Sequence, residues 1–360
     1  MRVALVHPYS WPAVRRGGER YAHDLGRWLT ESGHEVVLLT GGEGEDVVDG
    51  VRVLRFPLSD RFASRGATPL DTFGGTVLPH LLRERYDVVH SLVPSGGIAA
   101  ALALQPSVWT ALGHPSPQNP PTRAWSRTLV RRAASAVRVP ATLSRSAADG
   151  LEALTGRPPV VLPPGVRVQD FAPRLEPRTG PVRLLFNAFA EDDRKRLRVL
   201  LAALPAVLEV LPAARLLLGG GGDPSAAFDA LDPAVRRQVE PHVDDLGAGP
   251  LAEVPGRYRD ATVTVLPSVD EAFGLVLVES LACGTPVVCS ASGGMPEIVS
   301  RDVGCVAAPD DPAALAVAVL DAVRLAADPA APARCAEHAG WWGWDSVGPM
   351  HALVYGRARA

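Results

Sequence analysis

The sequence lacks the features that mark several protein classes. Its 360 residues include four cysteines, and no two of them stand at metal-ligand spacing, so free thiols in a reduced cytoplasm are predicted. The longest apolar stretch is broken by Gln105 and Pro106, so no run reaches the roughly 18 apolar residues of a membrane span. A net charge of -3 gives no general reason to expect nucleic acid as a partner.

Lysine is almost absent. Of the 36 basic residues, only Lys195 is not an arginine, a bias that fits the coding preference of the source. This lysine lies in the segment EDDRKRLRVLL, shortly after a predicted strand. It is therefore a candidate functional cation.

The sequence does contain two series of alternating apolar strands and helices. The first begins at RVALVHP and the second at VRLLFNAF, and a polar, proline-rich segment separates them. Such alternation is typical of parallel sheets that are covered by helices on both faces. Ligands of open parallel sheets bind outside the carboxyl ends of the strands, so we predict two α/β domains with a ligand cleft between them.

The most informative segment is DEAFGLVLVESLACGTPVVCS, Asp270–Ser290. Its pattern predicts a helix from about Ala272 to Cys283 that is apolar on nearly every side. Glu279 then lies inside a buried helix, where an ionised carboxylate is costly unless something bonds to it. Either Glu279 caps or pairs with an arginine while Glu271 is merely exposed, or Glu279 binds a ligand.

The start of the same helix offers backbone N–H groups to an anion. Those groups belong to Phe273, Gly274 and Leu275, and the glycine lets a ligand approach the backbone closely. A diphosphate at this turn, a hydroxylated group at Glu271 and a ribose at Glu279 would satisfy all these features together. Carboxylates suit paired hydroxyls because they accept two hydrogen bonds and donate none.

These segments resemble the donor-site signature of the GT4 family of retaining glycosyltransferases, which have the GT-B fold. The resemblance rests on two glutamates separated by seven residues in EAFGLVLVE, followed by SLACGTPVV and GGMPEIV. Four further segments extend the likeness over nearly the whole chain: GGERYAHDLGRWLTESGHEVVLLT, LPPGVRVQDFAP, RYRDATVTVLPS and WWGWDSV.

The resemblance implies an α/β protein with two Rossmann-like domains facing each other across a cleft. Residues 1–167 would form the acceptor-binding domain, and residues 168–345 the domain that binds the nucleotide-sugar donor. Residues 346–360 would form a helix that crosses back to the N-terminal domain.

The resemblance also implies roles for the donor-side residues. Glu271 would bond the hydroxyls of the donor sugar, and Glu279 the ribose of the nucleotide. The backbone at Phe273, Gly274 and Leu275 would meet the sugar and the diphosphate.

The family normally adds two cations, an arginine in a Gly-Arg pair after the strand and a lysine a few residues later. This chain has NAFAE where the pair is expected, and its basic residues are Arg194, Lys195 and Arg196. We predict that Arg194 and Lys195 stabilise the leaving diphosphate from the side opposite the glutamates. Which of the three cations touches phosphate is left open, as is an ordinary basic helix start.

The N-terminal half contributes three candidates. Gly17 and Gly18 precede the first helix and could present backbone N–H groups to a phosphate, although they do not form a dinucleotide fingerprint. The alternative is a plain tight turn. His114 follows a strand where related enzymes often place a histidine that meets the donor sugar or the acceptor, and a structural role is its alternative.

Two features bear on partners. Arg123, Arg127 and Arg131 share one helical face, which favours a solvated surface, with contact to an anionic membrane or acidic acceptor as the alternative. The acidic pairs do not form Asp-x-Asp, and the sequence has no metal-ligand cluster, so we predict a metal-independent reaction. We predict no cofactor, with the nucleoside diphosphate sugar as co-substrate.

The predicted function is transfer of a hexose, with retention, from a UDP- or GDP-linked sugar to an acceptor hydroxyl of a sugar, lipid or natural product. This reaction would serve glycan, glycolipid or natural-product biosynthesis, in the cytoplasm or at the inner membrane face. The alternatives are a GT-B epimerase, a phosphorylase with pyridoxal phosphate on Lys195, and a non-catalytic subunit that binds nucleotide sugars.

Overall fold

The computed structural model describes residues 1–58, 66–115, 124–174 and 179–360. It divides the chain into two compact units. The first comprises Met1–Gly165 together with Trp344–Ala360, and the second comprises Val166–Gly343. Both are built on parallel sheets, which confirms the predicted pair of Rossmann-like domains.

The first unit contains, among the described residues, an eight-stranded sheet in the order β3-β4-β2-β1-β5-β6-β7-β8, in which only the β3–β4 pair is antiparallel. Its strands are β1 (Arg2–Val6), β2 (Glu35–Gly41), β3 (Glu45–Val48), β4 (Val51–Phe56), β5 (Val88–Ser91), β6 (Ser107–Ala111), β7 (Val139–Thr142) and β8 (Val160–Val161). Its helices are α1 (Gly17–Glu31), α2 (Pro69–Arg83), α3 (Pro94–Leu102), α4 (Ala124–Ala136) and α5 (Arg145–Thr155).

The apolar patterns explain these elements. Residues 3–6 of β1 are fully buried, as expected for a central parallel strand covered on both faces. Helix α1 places Tyr21, Leu25 and Leu29 four residues apart on one buried stripe, which packs on the sheet.

The second unit has six parallel strands in the order β11-β10-β9-β12-β13-β14, within the part of the chain that is described. They are β9 (Arg183–Asn187), β10 (Arg215–Gly219), β11 (Val243–Gly247), β12 (Val263–Leu266), β13 (Val287–Ser290) and β14 (Gly304–Ala307). The helices are α6 (Leu197–Val210), α7 (Ser225–Asp229), α8 (Pro233–Val239), α9 (Val254–Asp260), α10 (Leu275–Ala282), α11 (Pro312–Ala326) and α12 (Ala331–Gly340).

The strand order of the second unit reverses between β9 and β12. The chain adds β10 and β11 on one side of β9, then returns to add β12, β13 and β14 on the other side. The connection after β9 leads to β10 and the connection after β12 leads to β13, so these neighbouring strands continue toward opposite edges of the sheet. Ligands of open parallel sheets bind at the carboxyl edge where the strand order reverses in this way. The loops on which Lys195 and Glu271 lie begin at this point.

The chain closes with helix α13 (Trp344–Arg359), which belongs to the first unit. The Trp344 ring stacks on Tyr21, whose hydroxyl lies 2.8 Å from Nε2 of His351. The Tyr355 hydroxyl lies 2.8 Å from Nδ1 of His90 on β5. Burial lowers the pKa of His351 to about 4 and that of His90 well below its usual value, so both imidazoles are neutral at pH 7 and bond inside the core.

Within the described ranges, none of the helices combines the length and the apolar character needed to cross a bilayer.

Candidate functional site

The loops after β9 and β12 bring Lys195 and Glu271 into direct contact. Lys195 Nζ lies 2.6 Å from Glu271 Oε2, and the two side chains are 18% and 21% exposed. A backbone bond of 2.8 Å from the N–H of Val269 to the carbonyl of Arg194 joins the two loops beside this pair. Adjacent parallel strands thus place residues that are 76 positions apart at one edge of the sheet.

This contact corrects the prediction that the basic group faces the ligand from the side opposite the glutamates. Lys195 and Glu271 share one side, because β9 and β12 are neighbours and their loops leave the sheet together. A partly buried ion pair of this kind presents a cation and a carboxylate side by side. Such a pair can serve a phosphate and a sugar hydroxyl at the same time.

The neighbouring arginines have other partners. Arg194 bonds Asp192 with its Nε and Nη2 atoms, at 3.2 and 2.6 Å. Burial alone would lower the pKa of Arg194. The hydrogen bond to Asp192 and the negative charge of Asp192 act against burial, and the pKa of Arg194 is raised. Arg196 bonds Asp310 at 2.9 Å. Of the three cations, Lys195 is the one whose charged atom contacts Glu271.

Helix α10 begins later than its sequence pattern predicts. It starts at Leu275 rather than at about Ala272, because Gly274 has φ +114°, a left-handed conformation that is not helical. The buried Phe273 ring packs edge-on against Trp342, with centroids 5.2 Å apart. The first-turn N–H groups of the helix therefore begin at Leu275, and Phe273 and Gly274 form the loop that leads into it.

Glu271 is held in place by the loop after β13, a contribution that sequence reasoning missed. The N–H of Gly294 donates to the Glu271 carbonyl at 2.8 Å, and Ser292 Oγ accepts from the N–H of Asp270 at 2.9 Å. Gly293 has φ +62°, and a Cβ there would lie 2.1 Å from the Glu271 carbonyl oxygen. The Gly-Gly of GGMPEIV was the signal, since such a pair permits close backbone approach.

Replacing Gly293 with alanine is expected to displace Glu271 and lower turnover at this site by tenfold or more, on the order of the effect of misplacing a binding group by about 1 Å. The physical reason is the backbone overlap, together with the left-handed conformation. Steady-state turnover measures the effect. The matched control is Gly340→Ala, since a Cβ at Gly340 meets nothing within 4 Å. Equal turnover of the two variants would show that the loop after β13 does not position Glu271.

Glu279 is 6% exposed on α10, as the sequence predicts. Its Oε2 accepts a hydrogen bond of 2.7 Å from the hydroxyl of Tyr258, which is fully buried on α9. Asn187, the last residue of β9, donates from Nδ2 to the same hydroxyl at 2.7 Å. Burial first, and then the charge of Glu279, raise the pKa of Tyr258 well above 10. Tyr258 thus supplies part of the polar contact that a buried carboxylate requires, and sequence reasoning did not single it out.

The glycine pair in the first unit starts helix α1. Gly17 is the first helical residue, and Arg16 before it makes no side-chain hydrogen bond to cap the turn. A Cβ at Gly18 would lie 2.8 Å from Leu112 Cδ1, so the glycine allows the helix start to approach the chain after β6. Both glycines lie in the chain that follows the carboxyl end of β1, an interior strand of the first sheet.

His114 also follows β6. Its Nε2 lies 2.8 Å from the hydroxyl of Ser146, in the first turn of α5. The side chain is half-buried. This bond holds the imidazole near the carboxyl edge of the first sheet, which suits the structural alternative and also orients the ring.

The basic face on α4 is exposed at Arg127 and Arg131, while Arg123 lies outside the described residues. Arg131 donates from Nε to the carbonyl of Leu154 at 2.9 Å. In the portion of the chain with described coordinates, no three His, Cys, Asp or Glu side chains are grouped so as to hold a metal ion.

Comparison with known proteins identifies both units. Residues 15–170 match the profile described as Glycosyltransferase Family 4, and residues 181–324 match that of Glycosyl transferases group 1. The chain is 30% identical to a glycogen synthase of Mycobacterium tuberculosis, covering 99% of this chain and 94% of the relative. It is 28% identical to a phosphatidyl-myo-inositol mannosyltransferase of Propionibacterium freudenreichii, covering 85% and 81%.

The fold has relatives among solved structures. The Anabaena protein HepE, in complex with UDP and glucose, superposes with a TM-score of 0.70 over 99% of each chain. The two sequences are 17% identical, so this likeness shows a common fold.

Proposed function

Because the chain belongs to the GT4 family of glycosyltransferases and has the GT-B fold, we propose that it transfers a hexose from a nucleoside diphosphate sugar to an acceptor hydroxyl with retention of the anomeric configuration. The observation that carries this proposal is the gathering of Lys195, Glu271 and Glu279 around the point where the strand order of the second sheet reverses.

The donor is proposed to bind along the loops after β9 and β12. Glu279 accepts hydrogen bonds from the ribose hydroxyls, and Glu271 from hydroxyls of the sugar. The diphosphate lies at the N-terminus of α10, where the N–H groups that begin at Leu275 and the approach past Gly274 favour an anion. Gly17 and Gly18 are proposed to offer the N–H groups at the start of α1 to a phosphate.

Catalysis is proposed to come from charge placement. As the bond between the anomeric carbon and the diphosphate oxygen breaks, negative charge grows on the leaving phosphate, and the Lys195 ammonium stabilises it. Lys195 bonds Glu271 at 2.6 Å, so the ammonium and the carboxylate are held side by side at this centre. The acceptor hydroxyl forms the new bond on the same face, and its proton passes to the leaving phosphate. Arg194 adds positive charge beside this centre, and His114 serves the donor sugar or the acceptor.

The relatives support a hexose donor. One is named for glycogen synthesis and the other for mannosyl transfer to a phosphatidylinositol, which correspond to glucosyl and mannosyl groups. We therefore propose UDP or GDP as the nucleotide and a sugar, lipid or natural-product hydroxyl as the acceptor. The bound UDP and glucose of HepE favour UDP-glucose as the first donor to test.

A thermal-shift screen over UDP, GDP, ADP and TDP with their monophosphates, and then over the sugars of the four diphosphates, tests the proposal. One nucleoside diphosphate is expected to raise the melting temperature more than its monophosphate, because the α10 N-terminus and Lys195 recognise the diphosphate. Slow release of that diphosphate from its sugar by the purified protein is then expected. Stabilisation by none of the four would contradict the proposal, and stabilisation by ADP or TDP alone would contradict the choice of UDP or GDP.

A non-catalytic subunit that binds nucleotide sugars is the second candidate. The observation that favours it is Phe189, which is 50% exposed in the NAFAE segment where the family normally carries Gly-Arg. Donor hydrolysis separates the two candidates. Release of diphosphate that is lost in Lys195→Ala identifies an enzyme, whereas tight binding with no release identifies the binding subunit.

A further inference from the structure

Tyr258 lies beneath the proposed donor site and contacts one of its two carboxylates. The side chain is fully buried, and its hydroxyl donates to Glu279 Oε2 at 2.7 Å. It belongs to α9, the short helix that precedes β12, so its position is set by the same strand that leads to Glu271.

The direction of this hydrogen bond is fixed by its neighbour. A tyrosine hydroxyl has one proton to donate. Asn187 Nδ2 donates to the Tyr258 oxygen at 2.7 Å, so that proton is directed to Glu279. Burial, together with the charge of Glu279, raises the pKa of Tyr258 well above 10, which keeps the phenol protonated in the working range of pH.

The ring is also held rigidly. The Tyr258 carbonyl accepts from Thr285 Oγ1 at 2.7 Å, and the ring packs against Phe171 with centroids 6.2 Å apart. The preceding residue, Arg257, donates to the carbonyl of Gly247 at 2.6 Å, which fixes α9 to the end of β11. The hydroxyl therefore has a fixed place from which to orient a carboxylate.

We propose that Tyr258 is a positioning residue that holds the Glu279 carboxylate in the orientation that receives the ribose diol, with Asn187 setting the direction of its hydrogen bond. This inference rests on the proposed ribose role of Glu279. Without the phenol, the carboxylate would lose a donor on one oxygen and would turn toward other partners. Nucleotide recognition would then weaken at the ribose and nowhere else.

The test compares UDP and GDP with their 2′,3′-dideoxy forms by calorimetric titration of the full chain. Of UDP and GDP, the one that binds wild type more tightly is expected to bind about tenfold or more tighter than its own dideoxy form. This ratio of affinities is the usual contribution of hydrogen bonds to a charged group. Tyr258→Phe keeps the ring and removes the hydroxyl, and its preference is expected to fall to about threefold or less. Its affinity for the dideoxy form is expected to stay within about twofold of wild type.

Three further variants complete the experiment. Glu279→Gln is the benchmark for full loss of the ribose preference. Tyr355→Phe is the matched control, since Tyr355 is equally buried and bonds His90 in the first unit, and its preference is expected to equal that of wild type. Asn187→Asp offers the Tyr258 proton a second acceptor, so the preference is expected to fall even if Tyr258→Phe does not fold.

The outcomes separate this inference from the proposed function. If Glu279→Gln loses the preference while Tyr258→Phe and Asn187→Asp keep it, the positioning role is overturned and the donor site stands. Equal weakening of both nucleotide forms in Tyr258→Phe would also overturn it, because it would show a packing role alone. If wild type has no ribose preference, the role of Glu279 is itself wrong and the inference is overturned with it.

Discussion

Replacing Lys195 with alanine is expected to lower sugar transfer about a hundred- to a thousandfold, the usual effect of removing one group that stabilises charge in a transition state. The ammonium lies 2.6 Å from Glu271 at the end of the second sheet, where the leaving diphosphate is proposed to bind. The loss should fall mainly on kcat, because the charge that Lys195 stabilises grows as the bond to the sugar breaks. Release of nucleoside diphosphate from the donor found in the screen measures this effect.

The control for Lys195→Ala is Arg198→Ala. Arg198 lies three residues away, is about half exposed and bonds Asp310, so its loss removes a nearby positive charge without touching Glu271. Its turnover is expected to remain within about twofold of wild type, since exposed ion pairs contribute little. If Lys195→Ala and Arg198→Ala had the same turnover, the proposed role of Lys195 would be refuted.

Replacing Glu279 with alanine is expected to weaken binding of the nucleoside diphosphate about ten- to a hundredfold, because hydrogen bonds to a charged group contribute about 1.5–3 kcal/mol. The fold is expected to survive, since the alanine removes a buried charge and keeps the helix. The Tyr258 hydroxyl loses its acceptor, which costs about 1–3 kcal/mol of stability. Calorimetric titration and thermal unfolding measure the two effects separately.

Glu209→Ala serves as the control for that experiment. Glu209 is an exposed glutamate on α6, so the substitution changes the net charge equally without altering the proposed site. Its affinity is expected to match wild type. An affinity of Glu279→Ala as high as that of Glu209→Ala would count directly against the ribose role.

The sequence predicts the buried strands of the two sheets, because parallel strands covered on both faces have continuous apolar runs between loops and helices. It does not predict β3 and β11, whose residues are exposed or half-buried. Residues 3–6 are an example, since every one of them is buried. The burial of Glu279 was also predictable from the sequence, because a single acidic residue in an otherwise apolar helix is conspicuous. Its 6% exposure confirms the burial that was predicted from the pattern.

What the sequence did not predict depends on contacts between distant segments. The pair formed by Lys195 and Glu271 requires that β12 lie beside β9, although β10 and β11 come between them in the chain. The sequence does not distinguish Tyr258 from other core residues, because nothing in the pattern of a short helix shows that its hydroxyl contacts Glu279. The late start of α10 depends on the left-handed backbone at Gly274, which the apolar pattern of the helix does not encode.

Amide hydrogen exchange, measured with and without the nucleoside diphosphate that binds best, tests most directly whether the donor lies where these residues place it. The account predicts slower exchange in peptides covering 187–197 and 267–282, which carry the loops after β9 and β12 and the start of α10. Saturating nucleotide that left both segments unchanged while protecting peptides elsewhere would contradict it.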